Sequence, residues 1–484
     1  MTSEVQAGGP TQAIRYPDPP GAVAGRRFGL VGALRVFGPG AIIASITIGS
    51  GEMIFSARGG AVFSYAIIWT LVIAAIAKVA MVYSTNRYMV VTGEHPMHRW
   101  AVLFPGPKGW FPLLFGVIAI IAFPSWTAGL SVALGGLVAS ITVGTGQLWA
   151  TGLLLAAGLL AWFGTYDHME KAQTVIVGFM LLAVAVSVFV LRPDWLGGLG
   201  GLVPQAPDYV GWLRADHPDV VARPVWLEIA TYLGAIGGGV YDYIGYTGML
   251  REKRWGILGR RDSREVAERF LALPKGEQLP LNGEPEEVRK ARVWARAPLG
   301  DAVVSFTAVA IFAIMFAVNG ASLLHEQHQV PAEADTLTYQ AQFLTTIHPA
   351  MQYLYYVAVF FAFFGSIYGF WELYSYTAYE TLGAVFPRIR AAGQPAVRKY
   401  LYPYIAVASL FLVWTVGELV AIVTPASILG GVLGCGIFCL AILWTEKRML
   451  PRQYRLSTAG WWYVLLSGLL LTALGVISTW ELFA

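Results

Sequence analysis

The chain has 484 residues, 56% of them hydrophobic and only 13% charged, with a formal net charge of +4. Soluble domains carry about 25% charged residues, and apolar runs of about 20 residues, each long enough to cross a bilayer, recur here from end to end. A soluble globular protein and a nucleic-acid-binding protein are thereby excluded, and an all-α, polytopic membrane protein is expected.

The first 26 residues are polar and rich in Pro and Gly, without the basic-then-apolar pattern of a cleaved signal peptide. Residues 1–30 are therefore predicted to be a mobile cytoplasmic tail. Eleven spans follow, at roughly 34–58, 61–86, 110–140, 145–164, 169–192, 225–250, 300–324, 349–381, 400–416, 422–444 and 460–480. They group into a first five-helix repeat (31–192), an extracellular or periplasmic loop (193–224), a second five-helix repeat (225–444) and an eleventh helix with the C-terminus (445–484). The loop 193–224 is rich in Gly, Pro and Asp and reads as irregular. The cytoplasmic loop 251–298 is heavily charged and reads as a solvated connector. Within it Asp262 and Glu265 are placed to cap a short helix through DSREVAERFLAL, and RRDSR offers attraction to anionic headgroups. With the N-terminus inside, 28 of the 33 Lys and Arg residues fall on the cytoplasmic side. Arg58, Arg192, Arg214 and Arg223 fall outside and Lys78 lies within a span. This asymmetry is the one the positive-inside rule demands, so span count and orientation support each other; the expected location is the cell (inner) membrane.

Two spans carry interruptions. Span one runs GPGAIIASITIGSGEMIFSARGG and meets Gly49-Ser50-Gly51 just before Glu52. Span six runs ATYLGAIGGGVYDYIGYTGML and meets Gly237-Gly238-Gly239 just before Asp242. Glycine costs a helix interior about 1 kcal/mol against Ala. Non-helical backbone at membrane depth is tolerated only where protein or a water-filled cavity surrounds it. Gly-interrupted helices at matching places in two opposed five-span halves point to inverted repeats with discontinuous helices 1 and 6 and a binding site at the midplane.

Ionisable groups inside spans are expensive and mark pathways or pairs. Glu52 and Asp242 sit at the two interruptions. Lys78, in span two, reads as their counter-ion, as a proton-carrying coupling group, or as a lysine snorkelling away. Glu372, in span eight, reads as part of an ion site shared with span one or as the partner of Lys78. Glu228, Asp301, Glu380 and Glu418 lie near span ends, where a wetted interface residue is as reasonable as a functional one. Tyr241, Tyr243 and Tyr246 follow the second interruption and suit packing or binding equally. Cys435 and Cys439 share a helix face, but without a third ligand nearby they read as small packing residues rather than a soft-metal pair.

GPGAIIASITIGSGE, the Trp69-containing second span and the ending VVTGEHP resemble the opening of the Nramp metal-ion transporters. Leu233-Gly234-Ala235 before the second interruption, Asp301 opening span seven and Glu380 closing span eight continue the likeness in span order. The resemblance implies the leucine-transporter-like fold, two inverted five-span repeats plus an eleventh span, working by alternating access. It also locates departures. Gly49 stands where the family's metal-binding aspartate would be, Ser50 replaces proline, Gly51 is retained and Glu52 takes the place of an asparagine. Gly238, Gly239 and Val240 replace Met-Pro-His, removing the soft thioether that favours transition metals. Span three lacks the carboxylates of the family's proton route.

The resulting expectation is a secondary transporter, not an enzyme. Its substrate site would be built from Gly49, Ser50, Glu52, Gly238, Tyr241 and Asp242, with Glu52 and Asp242 as ligands of a divalent metal cation, and Lys78 and Glu372 as coupling or ion-pair groups. Proton or sodium coupling is open, no cofactor is required, and a monomer is expected. Two alternatives stand: a carrier of a small organic substrate, an amino acid or amine, in which Lys78 replaces a coupling cation, and a non-transporting membrane receptor or subunit.

Overall fold

The computed structural model describes residues 14–25, 29–164, 193–330, 336–345, 348–416 and 419–483, with scattered positions between 171 and 189. These residues are helical but for loops and one isolated bridge between Ile14 and Leu281. Among them, eight stretches are long and apolar enough to cross a membrane: Pro39–Thr92, Trp110–Ile141, Gly146–Phe163, Pro285–His325, Met351–Val385, Gln394–Thr415, Ile422–Met449 and Thr458–Phe483. The first, at 54 residues, would measure about 80 Å as one helix against a hydrocarbon core of about 30 Å. It doubles back at Ser64, whose φ of +51° lies in the left-handed region, and resumes as Ile68–Thr92. Spans one and two are thus separate helices that meet at the short turn Ser64–Ile67. Span six does not join the eight because it is split into Val225–Ala235 and Val240–Lys253, pieces of 11 and 14 residues. The fifth expected span and Glu418 lie largely or wholly outside the described residues.

Span one differs from expectation: it is not discontinuous. Pro39–Thr47 is α-helical, Ile48–Ser56 winds as a π-helix, and Ala57–Phe63 returns to α. Glycines at 49 and 51 weaken the α geometry, but an open gap would leave backbone groups unpaired in the membrane interior. The wider i→i+5 spiral keeps them bonded. The glycines serve packing instead. A Cβ on Gly49 would lie 2.8 Å from the Ala362 carbonyl oxygen of span eight. A Cβ on Gly51 would lie 3.2 Å from the Ile236 nitrogen of span six. Span one is therefore wedged between spans six and eight at backbone contact, the arrangement small residues permit in membranes.

The end of the bundle that carries loop 251–298 is more ordered than expected. Residues 14–25 of the tail are docked, not free. The Tyr16 amide donates to Glu287 at 2.5 Å and its hydroxyl to the Val91 carbonyl at 2.7 Å. Trp294 Nε1 donates to the Pro17 carbonyl at 2.8 Å, and Lys290 pairs with Asp18 at 2.7 Å. The Lys290 ammonium holds the Asp18 carboxyl below its ordinary value, chiefly by hydrogen bonding. The loop itself folds as helices Ser263–Leu271 and Pro285–Trp294. The first was expected, but Asp262 does not cap it by side chain; its carboxylate is taken by the fork of Arg260, both contacts at 2.8 Å. At the opposite end, residues 193–224 hold three short helices, Trp195–Gly200, Gly211–Asp216 and Pro218–Val221, where irregular chain was expected.

Candidate functional site

The break in span six lies at Ile236–Gly239. Gly237 and Gly238 adopt φ of +73° and +87°, a region that residues with a Cβ enter only at a cost. The consequence is a helix C-terminus and a helix N-terminus facing each other inside the protein, each with orphan backbone groups.

Three side chains from other turns meet those groups. Lys78 Nζ donates to the carbonyls of Leu233 (2.8 Å), Gly234 (3.1 Å), Ile236 (2.5 Å) and Gly238 (2.7 Å). Glu52 Oε1 accepts the Gly237 N–H at 2.8 Å. Asp242 Oδ2 accepts the Gly239 N–H at 2.7 Å from within the first turn of the second half-helix. The Tyr243 hydroxyl closes the turn by donating to the Gly237 carbonyl at 2.5 Å. The cation sits on the carbonyl end and Asp242 on the N–H end, the polarity the two half-helix dipoles favour. Glu52 and Lys78 are fully buried and Asp242 is 2% exposed.

Each carboxylate is half used. Glu52 Oε2 and Asp242 Oδ1 are buried and have no hydrogen-bond partner among the described residues. A charged oxygen left so is costly unless a cation or proton meets it. With all three groups ionised, two carboxylates against one ammonium would give the cluster one negative charge in excess, which a bound proton or cation cancels.

Of the expected site residues, Glu52, Gly238 and Asp242 are brought together, with Lys78. Gly49 faces span eight. The Ser50 side chain lies outside the described residues. Tyr241 turns its hydroxyl to Trp126, accepting from Nε1 at 2.5 Å, and its carbonyl accepts from the Thr377 hydroxyl at 2.5 Å. Lys78 is neither in direct contact with the carboxylates nor snorkelling; its four partners are main-chain carbonyls. Glu372 belongs elsewhere, contacting Arg398 (3.4 Å), the Tyr402 hydroxyl (3.1 Å) and Gln394 (3.4 Å). Among the described residues no group of three or more His, Cys, Asp or Glu side chains is arranged to hold a metal ion. Cys435 and Cys439 are buried free thiols.

Three of the acids near span ends, for which a wetted boundary and a functional role were equally reasonable, are buried and tied into the helix packing. Asp301 accepts the N–H groups of Gly38 (2.9 Å) and Gly40 (3.0 Å) and the Tyr246 hydroxyl (2.5 Å), anchoring the start of span one. Glu228 binds Arg58 (3.1 Å) and Arg223 (2.7 Å), joining spans one and six at the end carrying 193–224. Glu380 is held by Arg251 and lies 3.3 Å from His98 Nε2 at the other end. Sequence reasoning underweighted Tyr243; its position after a triple glycine, on the half-helix that starts there, is the only signal it offered.

The family model described as Nramp: Natural resistance-associated macrophage protein-like matches residues 40–481. The chain belongs to the Nramp family. This Nramp chain is a multi-pass membrane transporter of the leucine-transporter-like fold and not an enzyme. It is similar in structure to a manganese transporter of Eremococcus coleocola solved with an aromatic bis-isothiourea substituted compound, with TM-score 0.62 and 13% identity over 92% of this chain and 86% of that one. It is also similar to Mhp1, a nucleobase-cation-symport-1 family transporter solved closed with bromovinylhydantoin bound, with TM-score 0.51 and 13% identity over 92% of each chain. At such identities the likeness concerns the fold alone. No curated protein matches the sequence. Where the family resemblance put a metal-binding aspartate, this Nramp protein has Gly49, packed against Ala362 with no room for a carboxylate.

Proposed function

We propose that this Nramp-family protein is a secondary-active carrier that moves a divalent metal cation by alternating access, with Glu52 and Asp242 as its ligands. The observation that carries this reading is the pair of buried carboxylates at one broken helix, each with an unpartnered oxygen. Oxygen donors without a thioether favour hard ions such as magnesium or manganese. The carbonyls that could coordinate sodium are held by Lys78, so coupling falls to protons carried by Glu52 and Asp242. The same reading gives the carrier two inverted five-span repeats, an eleventh span, a cytoplasmic N-terminus in the inner membrane and a monomeric state. Purified protein in liposomes should take up magnesium, manganese or calcium in a pH-dependent, sodium-independent way, and Glu52→Gln and Asp242→Asn should each abolish uptake. Uptake unchanged in both variants removes them as ligands, and absence of uptake for all three metals ends the proposal.

The Lys78 geometry favours a second reading. With the helix-end carbonyls filled, a metal would find few main-chain ligands, whereas one excess negative charge suits the ammonium of a small organic substrate, an amino acid or amine. Thermal stabilisation by amines or amino acids, with none by metals, would select this reading.

A further inference from the structure

The basic end of the bundle holds a cavity of about 490 Å³, separate from the broken helix, between the end of span six, the helix Ser263–Leu271 and the segment after span eight. Six guanidiniums line it: Arg251, Arg254, Arg260, Arg261, Arg264 and Arg390. Three have acidic partners. Arg251 is held by Glu380, Arg260 by Asp262 at 2.8 Å, and Arg264 by Glu268 at 3.4 Å. Arg254, Arg261 and Arg390 form no ion pair among the described residues. The wall therefore presents three uncompensated positive charges around a hollow many times the volume of a water molecule.

The placement of these arginines is built rather than scattered. Arg254 follows Val240–Lys253 at φ +53°, in the left-handed region, which turns the chain at once into the loop. Arg260 is locked from two sides, by Asp262 and by the Arg15 carbonyl at 2.7 Å. Arg390 comes from a separate short helix, Pro387–Ala392. Three separate segments thus contribute guanidiniums to one hollow. Guanidinium forks match phosphate oxygens two at a time, and like charges gathered this closely are relieved by a polyvalent anion.

We propose that this cavity binds a phosphate-bearing anion of two or more negative charges. The same chemistry is offered by an anionic lipid headgroup and by a phosphorylated solute. Because Arg251 and Arg254 lie at the end of the half-helix whose first turn holds Asp242, an occupant would tie that half-helix to the loop and to the segment after span eight.

The test uses the full-length protein in nanodiscs of phosphatidylcholine alone. Titration calorimetry with pyrophosphate should show saturable binding, weakened about tenfold or more in Arg254→Gln/Arg261→Gln, a loss of about 1.4 kcal/mol. In a second arm, nanodiscs containing cardiolipin, whose headgroup carries two phosphates, are examined by native mass spectrometry. Retention of anionic lipid by the wild type but not the double variant, together with weak pyrophosphate binding, assigns the cavity to a headgroup. Saturable pyrophosphate binding without lipid retention assigns it to a solute. Arg390→Gln, on a different segment, repeats the measurement should the double variant unfold. The proposal is overturned when neither probe binds the wild type, or when both bind the variants as well as the wild type.

Discussion

Lys78→Met tests the central geometry most directly, because Met keeps the length of the side chain and removes only the charge and its donors. The ammonium has three protons and four carbonyl acceptors between 2.5 and 3.1 Å. Hydrogen bonds to a charged group contribute about 1.5–3 kcal/mol each, and the several kcal/mol spent desolvating the ammonium offset part of that. Removing one member of such a buried arrangement costs about 3–5 kcal/mol. With an unfolding entropy of about 2.1 cal/mol/K per residue, the 484-residue chain should melt about 3–5 °C lower. Intrinsic fluorescence from its 17 tryptophans reads the transition in detergent. A cage of main-chain carbonyls can replace the hydration shell of an ion, so sodium or potassium should raise the melting point of Lys78→Met and leave the wild type unmoved. A variant that melts with the wild type, in any salt, refutes the assignment of Lys78 as the cap of the broken helix.

Four further outcomes are expected. Gly49→Val, which drives a side chain into the Ala362 carbonyl, should destabilise by about 1–3 kcal/mol in the same melting assay. Glu228→Gln leaves Arg58 and Arg223 facing each other in a buried site and should cost about 3–5 kcal/mol, with Arg58→Met in the same chain recovering part of it. Glu372→Gln should leave substrate transport unchanged in liposomes, since its contacts run to span nine and not to the break. Hydrogen bonds from Arg260, outweighing desolvation, lower the folded Asp262 pKa from 3.8. A depressed carboxylate contributes stability above its unfolded pKa and loses it as pH falls through the folded value. The hydrogen-exchange protection factor of helix Ser263–Leu271, taken against the intrinsic rate at each pH, should therefore be flat from neutral pH to about pH 5 and fall below about pH 4.

The broken span six was legible because three consecutive glycines defeat any helix, and Gly237 and Gly238 do take left-handed dihedrals. Span one misled for a related reason. Its glycines are spaced, not contiguous, and spacing of that kind is ambiguous between a gap and a packing seam; at membrane depth the backbone kept its bonds by widening. The partners of Lys78 and Glu372 were not legible. A lysine can satisfy itself with carbonyls as well as with carboxylates, and the sequence does not say that span two passes the end of Val225–Ala235. The docked tail was missed because Tyr16, Pro17 and Asp18 look like any polar leader until Glu287, Trp294 and Lys290 fold beneath them.

Two ion-pair joints at opposite ends of this bundle differ in how far water reaches them. In one, Glu228 is fully buried between Arg58 and Arg223; in the other, Asp18 is 86% exposed where it grips Lys290. Dissolved ions weaken contacts they can surround and scarcely touch those they cannot reach. Brine should thus loosen the docking of the tail at Asp18 while sparing the joint at Glu228, so that ionic strength reaches the two joints unequally without changing a residue.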